Sequence, residues 1–383
     1  MSIPFIDLKA QFAELEPEIR TGIDRVFAHG QFIMGPEVCE LESELARFAG
    51  VEHVVTCSSG TDALLMPLLA YGVGPGDAVF TSPFTFIATA EVISLLGATP
   101  VFVDIDARTF NLDPEKLAEA VEKALAAGKL TPRGVITVDL FGLPADHDSI
   151  APIAEAHDLF VLEDAAQSFG AEYKGRKAGS LGHVAATSFF PAKPLGCYGD
   201  GGAVFTDDSK LADSLRSIRV HGQGTDKYNN VRIGINGRLD TMQAAILLPK
   251  LKAFPGELAA RQRVAGRYDA GLGNVVEVPF VPEGCSSAWA QYSVLSDSRE
   301  KIQSALKQAG VPTAVYYPKP LHMQSAYAHL GQRKGSFPVS ESASQRIFSL
   351  PMHPYLDEET QRTIIDTVTT AVSSDNGAES AIS

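Results

Sequence analysis

Apolar, strand-like runs alternate with helical segments through the first half of this 383-residue chain. This alternation predicts an α/β fold in which helices connect the strands of a sheet. The candidate strands cover residues 53–57, 78–81, 100–104, 134–139 and 159–163. The run 134–139 is continuous enough to be buried on both faces of a mainly parallel sheet. Open sheets of this kind bind ligands at the carboxyl ends of their strands, so the loops that follow these runs are the expected functional segments.

The length of the chain predicts two domains, because 383 residues exceed what one ordinary core holds. A helix over 240–251, which Pro249 is expected to bend, is followed by a helical stretch over 256–271. A strand at 289–295, a helix at 298–309 and a closing helix at 358–372 then complete a smaller unit. We therefore expect a large domain over 1–250 and a smaller C-terminal α/β domain over 251–383. The small polar residues 373–383 are expected to be a disordered tail.

The composition excludes some classes of function. The formal net charge of −14 opposes general nucleic-acid binding, because a phosphate backbone would be repelled. The amino terminus lacks a secretory signal pattern, and no apolar run is long enough to span a bilayer. The four cysteines fit neither a metal-binding spacing nor a small disulfide scaffold. These features predict a cytoplasmic protein with reduced thiols, without a metal and without a membrane partner.

Lys193 lies between an aromatic and proline-rich run and a glycine-rich segment, within residues 188–202. Asp164 lies 29 residues earlier, at the end of the apolar run 159–162. A lysine that can be desolvated, together with an acid at a strand end, is typical of Schiff-base chemistry on a pyridine ring. A solvated surface lysine is the alternative interpretation.

The loop after the first candidate strand leads directly into a helix. The unpaired amides of such a helix start suit a phosphate group, although Ser59 or Thr61 could equally be a simple helix cap. Glu163 and Asp164 end another buried strand, where an unpaired carboxylate is costly. A protonated pyridine nitrogen would relieve that cost, and so would an arginine from elsewhere. Gln167 lies one helical turn further on, where it could donate to an oxygen of the same ring.

Four motifs together resemble the DegT/DnrJ/EryC1/StrS family of sugar aminotransferases, which depend on pyridoxal 5′-phosphate. They are Gly-Thr-Asp-Ala-Leu at 60–64, Pro-Phe-Thr-Phe at 83–86, Glu-Asp-Ala-Ala-Gln at 163–167 and Ser-Phe-Phe-Pro-Ala-Lys at 188–193. The similarity extends from Ile6 to His322. It implies the type I fold of pyridoxal-phosphate enzymes, which is similar to that of aspartate aminotransferase.

The resemblance also implies a role for each matching residue. Lys193 would hold the cofactor as a Schiff base and then transfer the proton in catalysis. Asp164 would keep the pyridine nitrogen protonated, Phe86 would stack on the ring, and Gln167 would bind its phenolic oxygen.

The cofactor phosphate would be held by the amides of Gly60 and Thr61 and by the hydroxyl of Ser188. Asn236 matches an asparagine that completes the phosphate site of the neighbouring subunit in this family. A homodimer with shared active sites is therefore implied. Some family members are dehydratases with histidine at the lysine position, so Lys193 favours amino transfer.

The long motif around Lys193 is similar to that of members acting at C3 of a UDP-linked 3-keto N-acetylhexosaminuronic acid, with L-glutamate as donor, in O-antigen and lipopolysaccharide synthesis. Arg238 would then pair with the sugar carboxylate, or else form a salt bridge at the start of the next helix. Tyr317 and His322 would line the sugar-nucleotide pocket, with a structural histidine as the alternative for His322. Two other functions stay open. One is amino transfer at C4 or C3 of another nucleotide-linked keto sugar, and the other is a non-catalytic regulator that binds the cofactor or a sugar.

Overall fold

A seven-stranded sheet organises most of the computed structural model, which describes residues 3–226 and 228–379. Its strands are β1 (His53–Cys57), β2 (Asp77–Thr81), β3 (Thr99–Phe102), β4 (Thr131–Val138), β5 (Phe160–Asp164), β8 (Val184–Ser188) and β9 (Gly202–Thr206). They lie in the order β1-β9-β8-β5-β4-β2-β3, and only β9 runs antiparallel to its neighbours. The predicted α/β fold with a mainly parallel sheet is confirmed.

Helices cover both faces of this sheet. The helices of the described residues are α1 (Leu8–His29), α2 (Pro36–Ala49), α3 (Gly60–Ala70), α4 (Ala88–Leu95), α5 (Pro114–Ala127), α6 (His147–Ala156), α7 (Ser209–Ile218), α8 (Thr241–Leu272), α9 (Arg299–Gln308), α10 (Pro338–Arg346) and α11 (Glu358–Glu379). One apolar cluster joins α3, α4 and α7 to the sheet, and further clusters join α2 and α8, or α5 and α6, to it. Because the strands are covered on both sides, the run 134–138 is buried throughout, as its sequence predicted.

The strand register brings the loops of interest to one edge of the sheet. Gly202 pairs with both Cys57 and Ser188, so the carboxyl ends of β1 and β8 lie side by side around it. Asp164, the last residue of β5, pairs with Val138 at the end of β4. The segments that begin at 58, 139, 165 and 189 therefore leave the sheet at the same edge.

A second, smaller sheet lies in the C-terminal part of the chain. It consists of β11 (Tyr292–Leu295) paired antiparallel with β12 (Ile347–Leu350). It packs in an apolar cluster with α8, α9 and α11. A third sheet joins the short strands β6 (Glu172–Tyr173), β7 (Arg176–Lys177) and β10 (Cys285–Ser286).

Helix α8 differs from its prediction. A bend at Pro249 and a separate helix over 256–271 were expected, but one helix runs from Thr241 to Leu272 with Pro249 and Pro255 inside it. Proline removes a helical hydrogen bond, which costs about 3 kcal/mol. Burial of apolar side chains along the whole length of α8, from Ala244 to Leu272, outweighs that local cost.

The chain ends also bear on the sequence predictions. Helix α11 runs to Glu379 and so enters the segment 373–383 that was expected to be disordered, while residues 380–383 lie outside the described residues. The domain boundary near residue 250 stays a prediction, because α8 continues across it. Within the described part of the chain, no helix combines the length and apolar character needed to cross a membrane. All four cysteines are free thiols, as expected.

Candidate active site

A cavity of about 400 Å³ opens at the carboxyl edge of the large sheet. This volume lies within the range of small-molecule sites. The structure brings eight of the predicted site residues together in its wall: Gly60, Thr61, Phe86, Asp164, Gln167, Ser188, Lys193 and Tyr317. They come from loops after four different strands and from one C-terminal segment, so the strand register described above is what assembles them.

Lys193 and Asp164 form the charged centre of the cavity. Lys193 is half-buried on the loop after β8, where its backbone N–H donates to the carbonyl of Phe190 at 2.9 Å. Burial lowers the pKa of Lys193, and the facing Asp164 partly opposes that effect. A lysine with a lowered pKa presents a larger fraction of neutral amine, the form that attacks a carbonyl carbon.

Asp164 is buried, and its hydrogen bonds orient it toward the cavity. One carboxylate oxygen accepts from the Thr89 hydroxyl at 2.8 Å and the other from the Ala166 N–H at 3.2 Å. Burial raises the pKa of Asp164, while the Thr89 bond and the Lys193 charge lower it. A cationic ligand nitrogen beside this carboxylate would be strongly stabilised, because both groups lie in a low dielectric.

Gln167 is held in one orientation by its neighbours. Its Oε1 accepts from the N–H of Phe141 at 2.9 Å, and its Nε2 donates to the hydroxyl of Tyr317 at 3.4 Å. Phe141 adopts a left-handed backbone conformation with φ of 60°. The amide of Gln167 therefore presents a donor to the cavity. Neither Thr89 nor Phe141 was identified from the sequence, because neither forms a motif with Asp164 or Gln167.

The start of α3 forms the polar end of the cavity. Ser59 is the helix cap, since its hydroxyl accepts from the N–H of Asp62 at 3.1 Å. This cap leaves the first-turn amides of Gly60 and Thr61 without helical acceptors. A Cβ on Gly60 would lie 2.5 Å from the Cβ of Ser188, so only glycine permits this close approach. The two interpretations offered for this loop, a cap and an anion site, are thus compatible.

Phe86 has 55% of its surface exposed although it belongs to a loop at the sheet edge. An aromatic side chain exposed inside a cavity is available to stack on a planar ligand. Together with the nucleophilic lysine, the buried acid and the helix start, it completes the set of groups that pyridoxal 5′-phosphate requires. The residues present fit the cofactor expected from the sequence.

Three predicted residues do not line this cavity. Asn236 is exposed. Arg238 is half-buried, and its Nε is buried without a hydrogen-bond partner. His322 is buried, with Nε2 3.0 Å from a carboxylate oxygen of Glu341, which is the structural arrangement named as its alternative.

A buried acid cluster lies directly behind the site and was not predicted. Glu163 accepts from the backbone N–H groups of Gly179 and Leu181 at 2.7 and 2.9 Å, rather than pairing with an arginine. Burial raises the pKa of Glu163 to about 8 and that of Asp139 to about 7. The Nε2 of His147 lies 3.7 Å from Asp139 and has no hydrogen-bond partner. The adjacent acids Glu163 and Asp164 were the only local signal of this cluster.

Comparison with known proteins extends the similarity over nearly the whole chain. Residues 13–369 match the model of the DegT/DnrJ/EryC1/StrS aminotransferase family. The UDP-2-acetamido-2-deoxy-3-oxo-D-glucuronate aminotransferase of Pseudomonas aeruginosa is 53% identical over 358 residues, which cover 93% of this chain and 96% of that protein. A solved aminotransferase of the same family from Brucella abortus has a TM-score of 0.95 and 52% identity, and covers 97% of this chain and 99% of its own. The solved structure of NtdA from Bacillus subtilis, described with bound cofactor PMP, has a TM-score of 0.87 and 28% identity. The match covers 97% of this chain and 85% of the NtdA chain.

Proposed function

The chain belongs to the DegT/DnrJ/EryC1/StrS aminotransferase family, and on this basis we propose that it transfers an amino group from L-glutamate to the C3 keto group of a UDP-linked 3-keto N-acetylhexosaminuronic acid. The observation that carries the proposal is the 53% identity to an aminotransferase named for such a substrate. The chain is an aminotransferase, so the alternative of a non-catalytic regulator is not supported. We further propose that the enzyme acts in the bacterial cytoplasm, in O-antigen synthesis.

The cofactor is pyridoxal 5′-phosphate, which supplies an aldehyde to carry the amino group and an aromatic ring to accept electrons. We assign its phosphate to the amides of Gly60 and Thr61 and to the hydroxyl of Ser188, where the helix dipole favours an anion. Phe86 would stack on the ring, and Gln167 would donate to its phenolic oxygen. These assignments are supported by the convergence of all five residues on one cavity.

Lys193 and Asp164 carry the proton chemistry in this proposal. Lys193 would hold the cofactor through its side-chain amine, and the same amine, in its neutral form, is the base placed to take the proton from the amino-bearing carbon of glutamate. Burial favours that neutral form by lowering the lysine pKa. The carboxylate of Asp164, whose two oxygens accept from Thr89 and Ala166, would pair with the protonated pyridine nitrogen of the cofactor.

We propose that the active enzyme is a homodimer and that Asn236 and Arg238 act in the neighbouring subunit. Both residues lie outside the cavity of their own chain, and Asn236 is exposed. Apolar side chains are exposed as well: Phe27, Phe32 and Ile33, with Ile233 at 85%. Exposed apolar groups of this kind mark protein interfaces. Ile33 is 47% exposed, which is consistent with an interface role.

Arg238 is the proposed partner of the sugar carboxylate. Its buried Nε without an acceptor is an incomplete guanidinium site, and a carboxylate completes such a site with two parallel hydrogen bonds. Tyr317, whose hydroxyl faces Gln167 in the cavity wall, is proposed to contact the sugar. His322 is buried against Glu341, which opposes the same proposal for it.

Paired substrates test the proposal directly. UDP-linked 3-keto sugars with and without the C6 carboxylate are compared with the wild type, Arg238→Ala and the exposed control Arg263→Ala. We expect Arg238→Ala to raise KM for the carboxylated sugar roughly 30-fold or more, as for loss of a charge-assisted bond, and to leave the uncarboxylated sugar unaffected. An equal effect on both sugars would exclude the carboxylate role. A wild-type preference for the uncarboxylated sugar, or for a 4-keto sugar, would instead favour the alternative substrate class.

A further inference from the structure

Gln291 is a polar residue of the cavity wall with no role in the chemistry assigned above. It precedes β11, and its backbone N–H donates to the carbonyl of Phe141 at 3.4 Å. The same Phe141 donates its own N–H to Gln167. One turn of backbone therefore positions two glutamine side chains in the wall of one cavity.

The side-chain oxygen of Gln291 is buried and has no hydrogen-bond partner. A buried acceptor left without a donor costs free energy comparable to a lost hydrogen bond. Gln291 lines both this cavity and a small pocket of about 20 Å³, and of the two only the cavity is large enough for a ligand that supplies the missing donor.

The cofactor does not offer that donor. Its phosphate and phenolic oxygens are acceptors, and its protonated ring nitrogen would pair with Asp164. The α- and γ-carboxylates of glutamate are also acceptors, and its amino group is the group that is transferred to the cofactor. A hexose ring, by contrast, carries hydroxyl and acetamido N–H donors next to the keto carbon.

We infer that Gln291 is a substrate-binding residue of the sugar half-reaction, which accepts a hydrogen bond from a hydroxyl or acetamido N–H adjacent to the keto carbon. The inference rests on the proposed function. It adds a residue that binds the sugar substrate but not the amino donor. It separates Gln291 from Gln167, whose oxygen is already occupied by Phe141 and whose amide faces the cofactor side.

Separate half-reactions test this assignment, because each can be followed through the absorbance of the bound cofactor. In the first, holoenzyme reacts with glutamate alone. In the second, holoenzyme reacts with the UDP-linked 3-amino uronic acid, which runs the sugar step in reverse. The variants are Gln291→Met, which removes the acceptor at similar volume, and Gln291→Glu, which retains an acceptor oxygen.

We expect Gln291→Met to weaken apparent binding of the amino sugar about ten- to a hundredfold and to change the glutamate half-reaction less than twofold. Gln291→Glu should restore much of the sugar binding. Gln332→Met is the matched control, since Gln332 also has a buried, unpartnered oxygen but lies outside the cavity. It should alter neither half-reaction.

Loss of the glutamate half-reaction in step with the sugar half-reaction would overturn the inference, and so would an unaffected sugar half-reaction. An intact glutamate half-reaction also shows that the variant is folded and holds the cofactor. If the wild type itself converts no UDP-linked amino sugar, the proposed substrate fails rather than the role of Gln291.

Discussion

Asp139→Asn should make the stability of this protein far less dependent on pH. Asp139 is fully buried beside Glu163, and the two carboxyl groups face His147 rather than an arginine or lysine. The substitution keeps the shape of the side chain. Its remaining oxygen can still accept from the Ala145 N–H, now at 2.9 Å, and the new amide can donate to the rotatable hydroxyl of Ser168.

The direction of the pH dependence of stability follows from the raised pKa values of the two carboxyl groups. Burial raises the pKa of Asp139 from 3.8 to about 7 and that of Glu163 from 4.5 to about 8. Between these limits the folded state binds more protons than the unfolded state, so the free energy of unfolding falls as pH rises. The stabilising contribution is complete below pH 4 and is lost as the pH rises through 7 and 8.

The magnitude is set by the number of protons released. One proton changes the free energy of unfolding by about 1.4 kcal/mol per pH unit. The two groups together would therefore reduce wild-type stability by roughly 4 kcal/mol between pH 6 and pH 9. The variant lacks one titrating group, and loss of the Asp139 charge lets Glu163 ionise at lower pH. Between pH 6 and pH 9 we therefore expect Asp139→Asn to gain about 2–4 kcal/mol of stability relative to the wild type.

Urea unfolding of the holoenzymes at saturating cofactor, followed by circular dichroism at pH 6, 7, 8 and 9, measures this difference. Asp213→Asn is the control, because Asp213 is an exposed carboxylate in a surface ion pair whose loss should give a curve parallel to the wild type. Parallel curves for Asp139→Asn as well would refute the reasoning, since the buried pair would then not titrate in this range.

Three further outcomes follow from the site. Lys193→Ala should abolish multiple turnovers and the visible absorbance of the covalently bound cofactor in the purified enzyme, and a variant that keeps either would disprove the assignment of this lysine. Asp164→Asn should lower kcat at least 100-fold, since an amide cannot balance the charge of a protonated pyridine nitrogen; stopped-flow kinetics with glutamate should show the loss in the proton-transfer step. Gly60→Ala should raise the Kd of the cofactor at least tenfold by fluorescence titration, because its Cβ would lie 2.5 Å from that of Ser188. Gly256→Ala, in open space on α8, should leave cofactor binding unchanged, and equal affinities of the two variants would argue against a steric role of Gly60.

Local patterns predicted the sheet well and α8 poorly. The strand expected at 53–57 is β1 with the same bounds, and the run 134–139 became the buried end of β4. Such runs combine β propensity with a burial pattern that can be recognised within five or six residues. The continuity of α8 depends instead on side chains packed along its whole length, and that packing overrides the local penalty of Pro249 and Pro255.

The same distinction applies to the cavity. Lys193, Asp164 and Gly60 were identified because each lies in a recognisable local pattern. Asp164 closes a strand, Gly60 opens a helix, and Lys193 lies between an aromatic and proline-rich run and a glycine-rich segment. Thr89, Phe141 and Gln291 were not, since their partners in the site lie far away along the chain. No local spacing indicates that the hydroxyl of Thr89 will reach Asp164, 75 residues later.

By itself, the sequence determined the fold class, the strand ends that carry function and the chemical types of the groups placed there. Hydrophobic periodicity and motif chemistry are local properties, so they can be recognised without knowing which distant segments meet. Only the tertiary structure decided which groups are buried together, which way Gln167 faces, and which acceptor in the cavity still lacks a donor. Desolvation and hydrogen-bond completion depend on every neighbour in space, so these properties of Lys193, Asp139 and Gln291 arise only when distant segments meet at one edge of the sheet.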